Sequence, residues 1–524
     1  MAAMRFSSGV AQHSPLHHVG TLFPVTSEGF STSYPSRPLG CARDWNCVGD
    51  CTARGRQHIV VRVAAWVGTS VGITCLRRHR RTQLLGVVAV RATASSRQHV
   101  KLRPRKEKLL AEGRQILFDN TIEETSADIT AGDFVEVRDP YDQVLAWGTF
   151  NPHSLYRVRV LQVAGERLPP PENLEELLLY RFRLAIATRR SLGLPRHGLD
   201  EAYRLVNGEG DQLSGLMIDI YGPVAVVRSS AIWAERHSDV VRAALLKALD
   251  VSNGSEDSEK TEAKWPRTVI WQRSKRHLEQ DGSSIVHLPE LDQLSPDHED
   301  QEVVLREGGL CYHVQPAGGQ KSGLYLDQRD NHRAIKELVA MQPKPPRVLD
   351  LCCYHGAFSL AALAGGAARV TGVDTSAAAL DVAYRNADLN GFGDDRRLVF
   401  RQADIGEFLA DAATCRDEFD IVILDPPKLA PSREPRAFGR AESKYKAFNR
   451  KAIQVVAPGG LLLSCTCSAA MTQSGRFQML LGSAAASAGR SLTVLRTTQA
   501  ATDHPVSPTC PESAYLTAVL ARIA

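Results

Sequence analysis

Two short runs near the C-terminus bring together residue types that can attack and hold a planar ring. Asp425-Pro426-Pro427-Lys428 sets an acid and a cation at either end of a diproline. The prolines fix φ and remove two backbone donors, which leaves Asp425 and the neighbouring carbonyls facing a substrate. Further on, Ser464-Cys465-Thr466-Cys467-Ser468 places two thiols at the end of an apolar run. A carbon of an electron-poor planar ring is a poor nucleophile. A thiolate added to the carbon beside it makes it enamine-like and able to take an electrophile. Free cysteines are often inert small hydrophobes, and Cys465, inside the run, reads that way. Cys467, at its end, is the candidate nucleophile, with Asp425 and Lys428 as further catalytic candidates. The Cys-x-Cys spacing has no second pair at finger-like distance, so no metal site is expected.

A second group of residues has the form of a cofactor pocket. An apolar run ends in Asp350-Leu351-Cys352-Cys353-Tyr354-His355-Gly356-Ala357-Phe358. A glycine there lets the backbone approach a ligand, and the following helix offers N–H groups. Asp374, 24 residues after Asp350, suits a one-helix crossover and can accept from ribose hydroxyls; it can equally cap a helix beginning near Ser376. Asp404 after the third strand can accept from an adenine amino group. The loop holds one glycine, not the G-x-G-x-x-G that cradles a pyrophosphate, which favours a cofactor without phosphates. Tyr354, Phe358 and Pro426 complete the candidate contacts with Asp350, Gly356, Asp374, Asp404 and Asp425.

The elements that must carry these residues alternate strand and helix. Val348–Leu351, Arg369–Val373, Leu398–Arg401, Phe419–Leu424 and Gly460–Cys465 read as strands, and Phe358–Ala364, Ala377–Leu389 and Lys444–Val456 as helices. Repeated βα units predict right-handed crossovers and a parallel sheet, with the ligand beyond its carboxyl edge. Upstream, residues 101–163 carry short β signals around the turn Asp139–Asp142, including Phe134–Val137, Val144–Gly148 and Tyr156–Val160. A stiff Pro169-Pro170-Pro171 connector leads to a helix over Glu172–Leu192. A mixed α+β region follows, with strands at Leu216–Ile220 and Val224–Val227 and a helix near Asp239–Leu249. Residues 252–264 are polar and read as a disordered insertion.

The chain has 524 residues, 43% hydrophobic and 23% charged, which suits a soluble globular protein of about three domains. Its net charge of +5 is uneven. The first hundred residues hold twelve Arg, no Lys and only Glu28, Asp44 and Asp50 as acids, and the remainder is slightly acidic. A basic total is therefore no argument for nucleic-acid binding; the run Lys101–Lys108 reads as solvated surface. The arginine-rich, acid-poor start predicts a transit segment over 1–100 and an organelle, chloroplast or mitochondrion, with a plain cytoplasmic tail as the alternative. Ile59–Leu76 is apolar but contains Arg62 and is barely long enough to span a bilayer, so no stable membrane association is expected. Eleven cysteines without framework spacing suit a reducing interior.

Asp425-Pro426-Pro427-Lys428 resembles the D/N-P-P-x motif of methyltransferases acting on nucleobases. With Gly319–Asn331, Val348–Leu360, Val373–Asn386, Thr466–Ser468, Tyr203–Asp211, Asp503–Val506 and Pro511–Leu516, the chain resembles the ribosomal RNA large-subunit methyltransferase I family over about 420 residues. The resemblance implies an α/β class. A Rossmann-like class I methyltransferase domain with a mostly parallel seven-stranded sheet would span 326–524. A β-rich PUA-like domain would span 101–168, and a central α+β domain of EEHEAD type 172–325. It implies S-adenosyl-L-methionine as cofactor, ribosomal RNA as partner, a homodimer as one assembly, 5-methylcytosine as product and Cys467 as nucleophile. Tyr445 and Asn449 also stand at family positions. The usual loop YTGGF reads Tyr354-His355-Gly356-Ala357-Phe358 here, and Ser322 replaces a threonine. Competing expectations are methylation of a guanine or adenine nitrogen, which needs no thiol, a non-catalytic ribosome-assembly factor, and a nicotinamide-dependent oxidoreductase.

Overall fold

Runs buried on both faces build the sheet that carries the candidate residues. In the computed structural model, residues 97–253, 266, 268–288, 302–318, 324–430 and 432–524 are described. The expected transit segment with Ile59–Leu76, most of the 252–264 insertion and the stretch Gly319–Gly323 lie outside them. Five strands, β1 (His99–Leu102), β2 (Ile116–Leu117), β3 (Ile122–Thr125), β4 (Phe134–Arg138) and β5 (Val144–Phe150), join β6 (Val158–Val163) in one sheet ordered β2-β6-β5-β4-β1-β3. Val100, Leu102, Val135 and Val137 alternate into its own small core, as the two-residue period of a strand requires.

The helix Leu174–Ser191 opens the second layer. Asn173 caps it, its side chain accepting from the Glu176 N–H, and Leu174, Leu177, Leu178 and Phe182 form its buried stripe. Next come β7 (Ala202–Asn207), β8 (Leu216–Tyr221), β9 (Val224–Ser229) and β10 (Thr268–Arg273), ordered β10-β9-β8-β7. Successive residues of β9 point to opposite faces. Ala225 and Val227 pack with Leu177, Phe182 and the helix Ser238–Asn253, whereas Val224 and Val226 join a core that continues into the catalytic layer. Each fully buried aliphatic side chain of this kind contributes about 1.5–3 kcal/mol, so the seam between the two layers is cohesive rather than a loose linker.

A hairpin of β11 (Val303–Glu307) and β12 (Leu310–Val314) precedes the helix Arg329–Ala340. Seven strands then form the last sheet: β13 (Arg347–Leu351), β14 (Arg369–Asp374), β15 (Leu398–Gln402), β16 (Phe419–Leu424), β17 (Val456–Thr466), β18 (Leu492–Thr498) and β19 (Thr517–Ile523). Their order is β15-β14-β13-β16-β17-β19-β18. The first five run parallel, and β19 runs antiparallel to both its neighbours. The chain winds outward from β13 to β15 and then returns to β16 on the other side of β13. A doubly wound sheet opens a crevice at that switch point, beyond the carboxyl ends of the two strands. Leu351 and Leu424 are paired there, so the loops after them face each other.

Several element boundaries differ from expectation; the strand read over Gly460–Cys465, for example, begins earlier, as β17 (Val456–Thr466). The helix read over Lys444–Val456 starts earlier, at Pro435, with Glu434 capping the Arg436 and Ala437 N–H groups; a proline in the first turn is pre-set for helix. The strand read over Tyr156–Val160 is displaced to β6 (Val158–Val163).

Among the described residues no helix is long and apolar enough to cross a membrane. Nor does any group of three or more His, Cys, Asp or Glu there stand close enough to hold a metal ion.

Candidate active site

The loop leaving β13 is strained in a regular way. Cys352, Tyr354 and Gly356 have φ of 63°, 50° and 78°. A residue with a Cβ pays about 1–2 kcal/mol for the left-handed region, and such residues persist where neighbours over-determine them. Here the Cys353 N–H donates to the Val373 carbonyl over 3.1 Å, and the Gly356 N–H to the Cys353 carbonyl over 2.8 Å. Asp374 supplies the third tie: its Oδ2 accepts from the Tyr354 N–H at 3.0 Å and its Oδ1 from the Ser376 N–H at 2.9 Å. Asp374 is thus the clamp on the loop. The cap of the following helix is Ser376, whose Oγ accepts from the Ala379 N–H at 3.2 Å.

Beyond this loop lies a cavity of about 350 Å³, reached by side chains from β13, β14, β15, β16 and β17 ends and from the Leu324–His332 segment. Tyr354, Phe358, Asp374, Asp404, Asp425, Pro426 and Cys467 all line it. Asp404 uses Oδ1 to cap the helix Ile405–Thr414, accepting from Gly406 N–H at 2.7 Å and Glu407 N–H at 3.2 Å. Asp425 accepts at Oδ2 from Gln328 Nε2 over 2.9 Å. Burial, with the charge of Asp327 next, pushes its carboxyl up to about 7.

Three expected contacts stand elsewhere. Asp350 is fully buried below the loop and does not reach the lining. Its Oδ2 accepts from Ser359 Oγ at 2.7 Å while Oδ1 has no partner. Burial raises this carboxyl to about 6. Gly356 also lies outside the lining; it makes the turn into the helix Ala357–Ala364, and a Cβ there would meet Phe400 Cζ at 3.0 Å. Lys428 is exposed and outside the lining. The diproline turns it to the rim, from which its charge lowers the Cys467 thiol slightly.

Cys467 sits where β17 ends, its Sγ donating to the Pro426 carbonyl at 3.8 Å. Burial, then Asp425, pushes this thiol up to about 12. Cys465, one pleat back, is fully buried core. Tyr445 and Asn449 brace the strand end. Thr466 Oγ1 donates to Tyr445 OH over 2.8 Å, Tyr445 OH meets Ser468 Oγ at 2.8 Å, and Ser464 Oγ donates to Asn449 Oδ1 at 2.7 Å. Ser468 Oγ in turn accepts from the Ala430 N–H at 3.1 Å. The same hydroxyl network therefore fixes both the thiol strand and the end of the diproline loop.

Sequence reasoning did not single out Asp327, Gln328, Tyr325 or His332, which line the same cavity. Tyr515 OH donates to Asp327 Oδ2 over 2.7 Å. For Tyr325, Asp327 and Gln328 the available signal was their place in the Gly319–Asn331 stretch; His332 lies one residue beyond it.

Among the described residues the lining holds four Asp side chains and neither Lys nor Arg. A pyrophosphate would find repulsion there, whereas a phosphate-free cation fits. Together with strand order and loop geometry, this defines a class I S-adenosylmethionine-dependent methyltransferase. The family model for S-adenosylmethionine-dependent methyltransferases matches residues 292–522, and that for PUA-like domains matches residues 100–162. Ribosomal RNA large subunit methyltransferase I of Pseudoalteromonas atlantica is 33% identical over 424 residues, covering 81% of this chain and 99% of the relative. The protein of the same name from Klebsiella pneumoniae is 32% identical over 419 residues, covering 80% and 96%. The chain belongs to the ribosomal RNA large subunit methyltransferase I family, and its cofactor is S-adenosylmethionine.

Two solved structures share the fold. A chain described as a SAM-dependent methyltransferase from Streptococcus mutans aligns with TM-score 0.60 at 20% identity, covering 81% of this chain and 99% of that one. A methyltransferase complexed with SAH aligns with TM-score 0.62 at the same identity and coverage.

The organellar address read from residues 1–100 is corrected by the relatives. They are bacterial proteins matched over almost their full length, and bacteria have no such organelles. The arginine-rich composition that suggested the address is shared with many unstructured basic segments, so it could not carry it.

Proposed function

We propose that this chain methylates carbon 5 of a cytosine in large-subunit ribosomal RNA, with Cys467 as a transient nucleophile. The observation that carries the reading is the place of Cys467: its thiol, against the Pro426 carbonyl at 3.8 Å, lines the same cavity as Asp374, Asp404 and Asp425. The relatives' name supports ribosomal RNA as the substrate, and the PUA-like match supports an RNA-facing N-terminal sheet.

S-Adenosylmethionine, when bound, supplies an electrophilic methyl group. Asp374 and Asp404, which line the cavity, would accept from its ribose and adenine. Tyr354 and Tyr325 line the cavity with ring centroids 5.2 Å apart, and these rings would pack against the cofactor. Asp425, poised near neutrality, can donate a proton to ring nitrogen 3 of the cytosine, which makes carbon 6 electrophilic. Cys467 releases its proton to solvent and forms the S–C6 bond. Carbon 5 takes the methyl group, and the donor sulfur keeps the electron pair as a neutral thioether. The carbon-5 proton is then lost to solvent and its electron pair forms the C5–C6 double bond, the S–C6 pair returns to sulfur as the thiolate, and the proton on nitrogen 3 returns to Asp425. Every group named comes from one chain, so the reading does not depend on the expected homodimer.

The test is RNA containing 5-fluorocytosine at the target. Fluorine blocks the last elimination, so the wild-type chain is expected to be trapped as a covalent complex, and C467A is not. Bisulfite sequencing of ribosomal RNA with and without the protein locates the base. Full methylation by C467A would sink the thiol route and point to a ring or exocyclic nitrogen instead.

A further inference from the structure

S-Adenosylmethionine brings a sulfonium, an ammonium and one carboxylate into a cavity that, among the described residues, is lined by the acids Asp327, Asp374, Asp404 and Asp425 and by no Lys or Arg. The acids suit the two cationic groups and the ribose. The carboxylate meets only like charges unless a donor faces it, and like charges at contact are costly.

Among the described residues two lining side chains can take a positive charge, His332 and His355. His355 lies flat on Tyr354, with ring centroids 3.6 Å apart and planes at 13°. His332 is placed differently. It is 6% exposed, its Nδ1 stands 2.7 Å from Glu307 Oε1, and its ring meets the Phe358 ring edge-on at 4.3 Å. Its Nε2 has no hydrogen bond among the described residues. The neighbouring cations are engaged elsewhere. Arg329 binds Asp503 over 2.9 Å, Arg333 binds Asp200 over 3.1 Å, and Lys336 donates to the Gly308 carbonyl over 3.3 Å. Of these four side chains on one helix, His332 alone lines the cavity.

We propose that His332, held from behind by Glu307, receives the α-carboxylate of the cofactor's methionine arm. Glu307 accepts from Nδ1–H, which aims Nε2 forward. A proton on Nε2 then gives an imidazolium between two carboxylates, one from the protein and one from the ligand. A carboxylate behind a histidine orients the ring in this way. Glu307 is 3% exposed, and its Oε2 has no partner. Arg329, the cation whose charge it feels, is ion-paired with Asp503 rather than with Glu307. This is a positioning role toward the cofactor and is independent of which atom of the RNA is methylated.

Three ligands separate the possibilities by calorimetry on the full chain. S-Adenosylmethionine carries both ammonium and carboxylate, its decarboxylated analogue keeps the ammonium, and 5′-methylthioadenosine lacks both. The wild-type chain is expected to prefer S-adenosylmethionine over the decarboxylated analogue by about tenfold or more, the scale of one charge-assisted hydrogen bond. His332→Gln is expected to erase that preference and leave methylthioadenosine binding unchanged. His332→Arg, which keeps a cation, is expected to retain it. Glu307→Gln is expected to shrink it. An H332Q chain that keeps the full preference overturns the proposal. So does equal weakening of S-adenosylmethionine and the decarboxylated analogue, which would put the ammonium at Nε2. If H332Q fails to bind methylthioadenosine, the decision passes to H332R: loss of the preference there, with methylthioadenosine still bound, also overturns it. Failure of the wild-type chain to trap fluorocytosine RNA would leave this result untouched, so the two readings fall separately.

Discussion

Tyr445 and Ser468 meet hydroxyl to hydroxyl at 2.8 Å, directly beside the residue that carries the candidate nucleophile. Thr466 donates to the same tyrosine oxygen. Tyr445→Phe keeps the ring in its core and strands two buried hydroxyls, at a cost of about 1–3 kcal/mol. The expected result is a lower melting temperature and a fall in kcat of roughly tenfold, with S-adenosylmethionine affinity unchanged in calorimetry. A fall in affinity instead would show that the tyrosine supports the cofactor wall.

The Asp425 carboxyl, raised to about 7 chiefly by burial, makes the protein less stable as pH rises. In the unfolded chain this group loses its proton near 4. Between there and about 7 the folded state holds the extra proton, so stability falls across that window. Asp425→Asn still offers an oxygen to Gln328. It is expected to gain on the order of 2 kcal/mol at pH 8 relative to wild type, and almost nothing at pH 4, while losing methylation. Thermal unfolding at the two pH values is the check, and an equal gain at both would contradict the assignment.

In the RNA-free protein the Cys467 thiol, pushed up to about 12 by burial and Asp425, stays protonated at neutral pH. Its alkylation by iodoacetamide, followed by peptide mass spectrometry, is expected to climb about tenfold per pH unit between 7 and 9 without a plateau, because the thiolate is the reactive form. Exposed Cys415 provides the internal comparison. Rapid labelling at pH 7 would mean that the thiol is already activated before substrate arrives.

Gly356→Ala tests the loop. The position has φ of 78°, and an added methyl would sit 3.0 Å from Phe400 Cζ and 3.3 Å from Ala383 Cβ. The combined backbone and contact strain is expected to cost about 1–3 kcal/mol and to weaken S-adenosylmethionine binding at least tenfold. Unchanged affinity would show that the loop tolerates movement.

Much of this site is legible in the amino-acid order because each cue is local. Strand β16 is apolar and buried from Ile421 to Leu424, with Asp425 and the diproline marking its carboxyl end, and β13 carries Asp350 one residue before its own end. Strand β18 carries no such mark: most of its residues are exposed, and only pairing with β19 makes it a strand. Asp404-Ile405-Gly406-Glu407 contains an acid three residues before a glutamate at a helix start, a capping signal visible without coordinates. His332 has no local cue at all. Its meaning depends on Glu307, which lies across a turn and an unrelated hairpin, and on Phe358 from a later helix.

Asp503 has further meaning for a chain made one residue at a time. Its carboxylate is buried against Arg329, its carbonyl accepts from Arg189, and its Oδ2 accepts from the Arg204 N–H. Pro505 and Thr509 accept from Asn207 and Arg114 on the earlier layers. A ribosome adding about 5–20 residues per second needs on the order of 15–60 s to travel from Arg204 to Asp503. For that interval the central layer has been synthesised while Arg189 and the Arg204 N–H still lack the acceptors that Asp503 supplies, so the newborn protein passes through a stage in which its middle is present but unlocked.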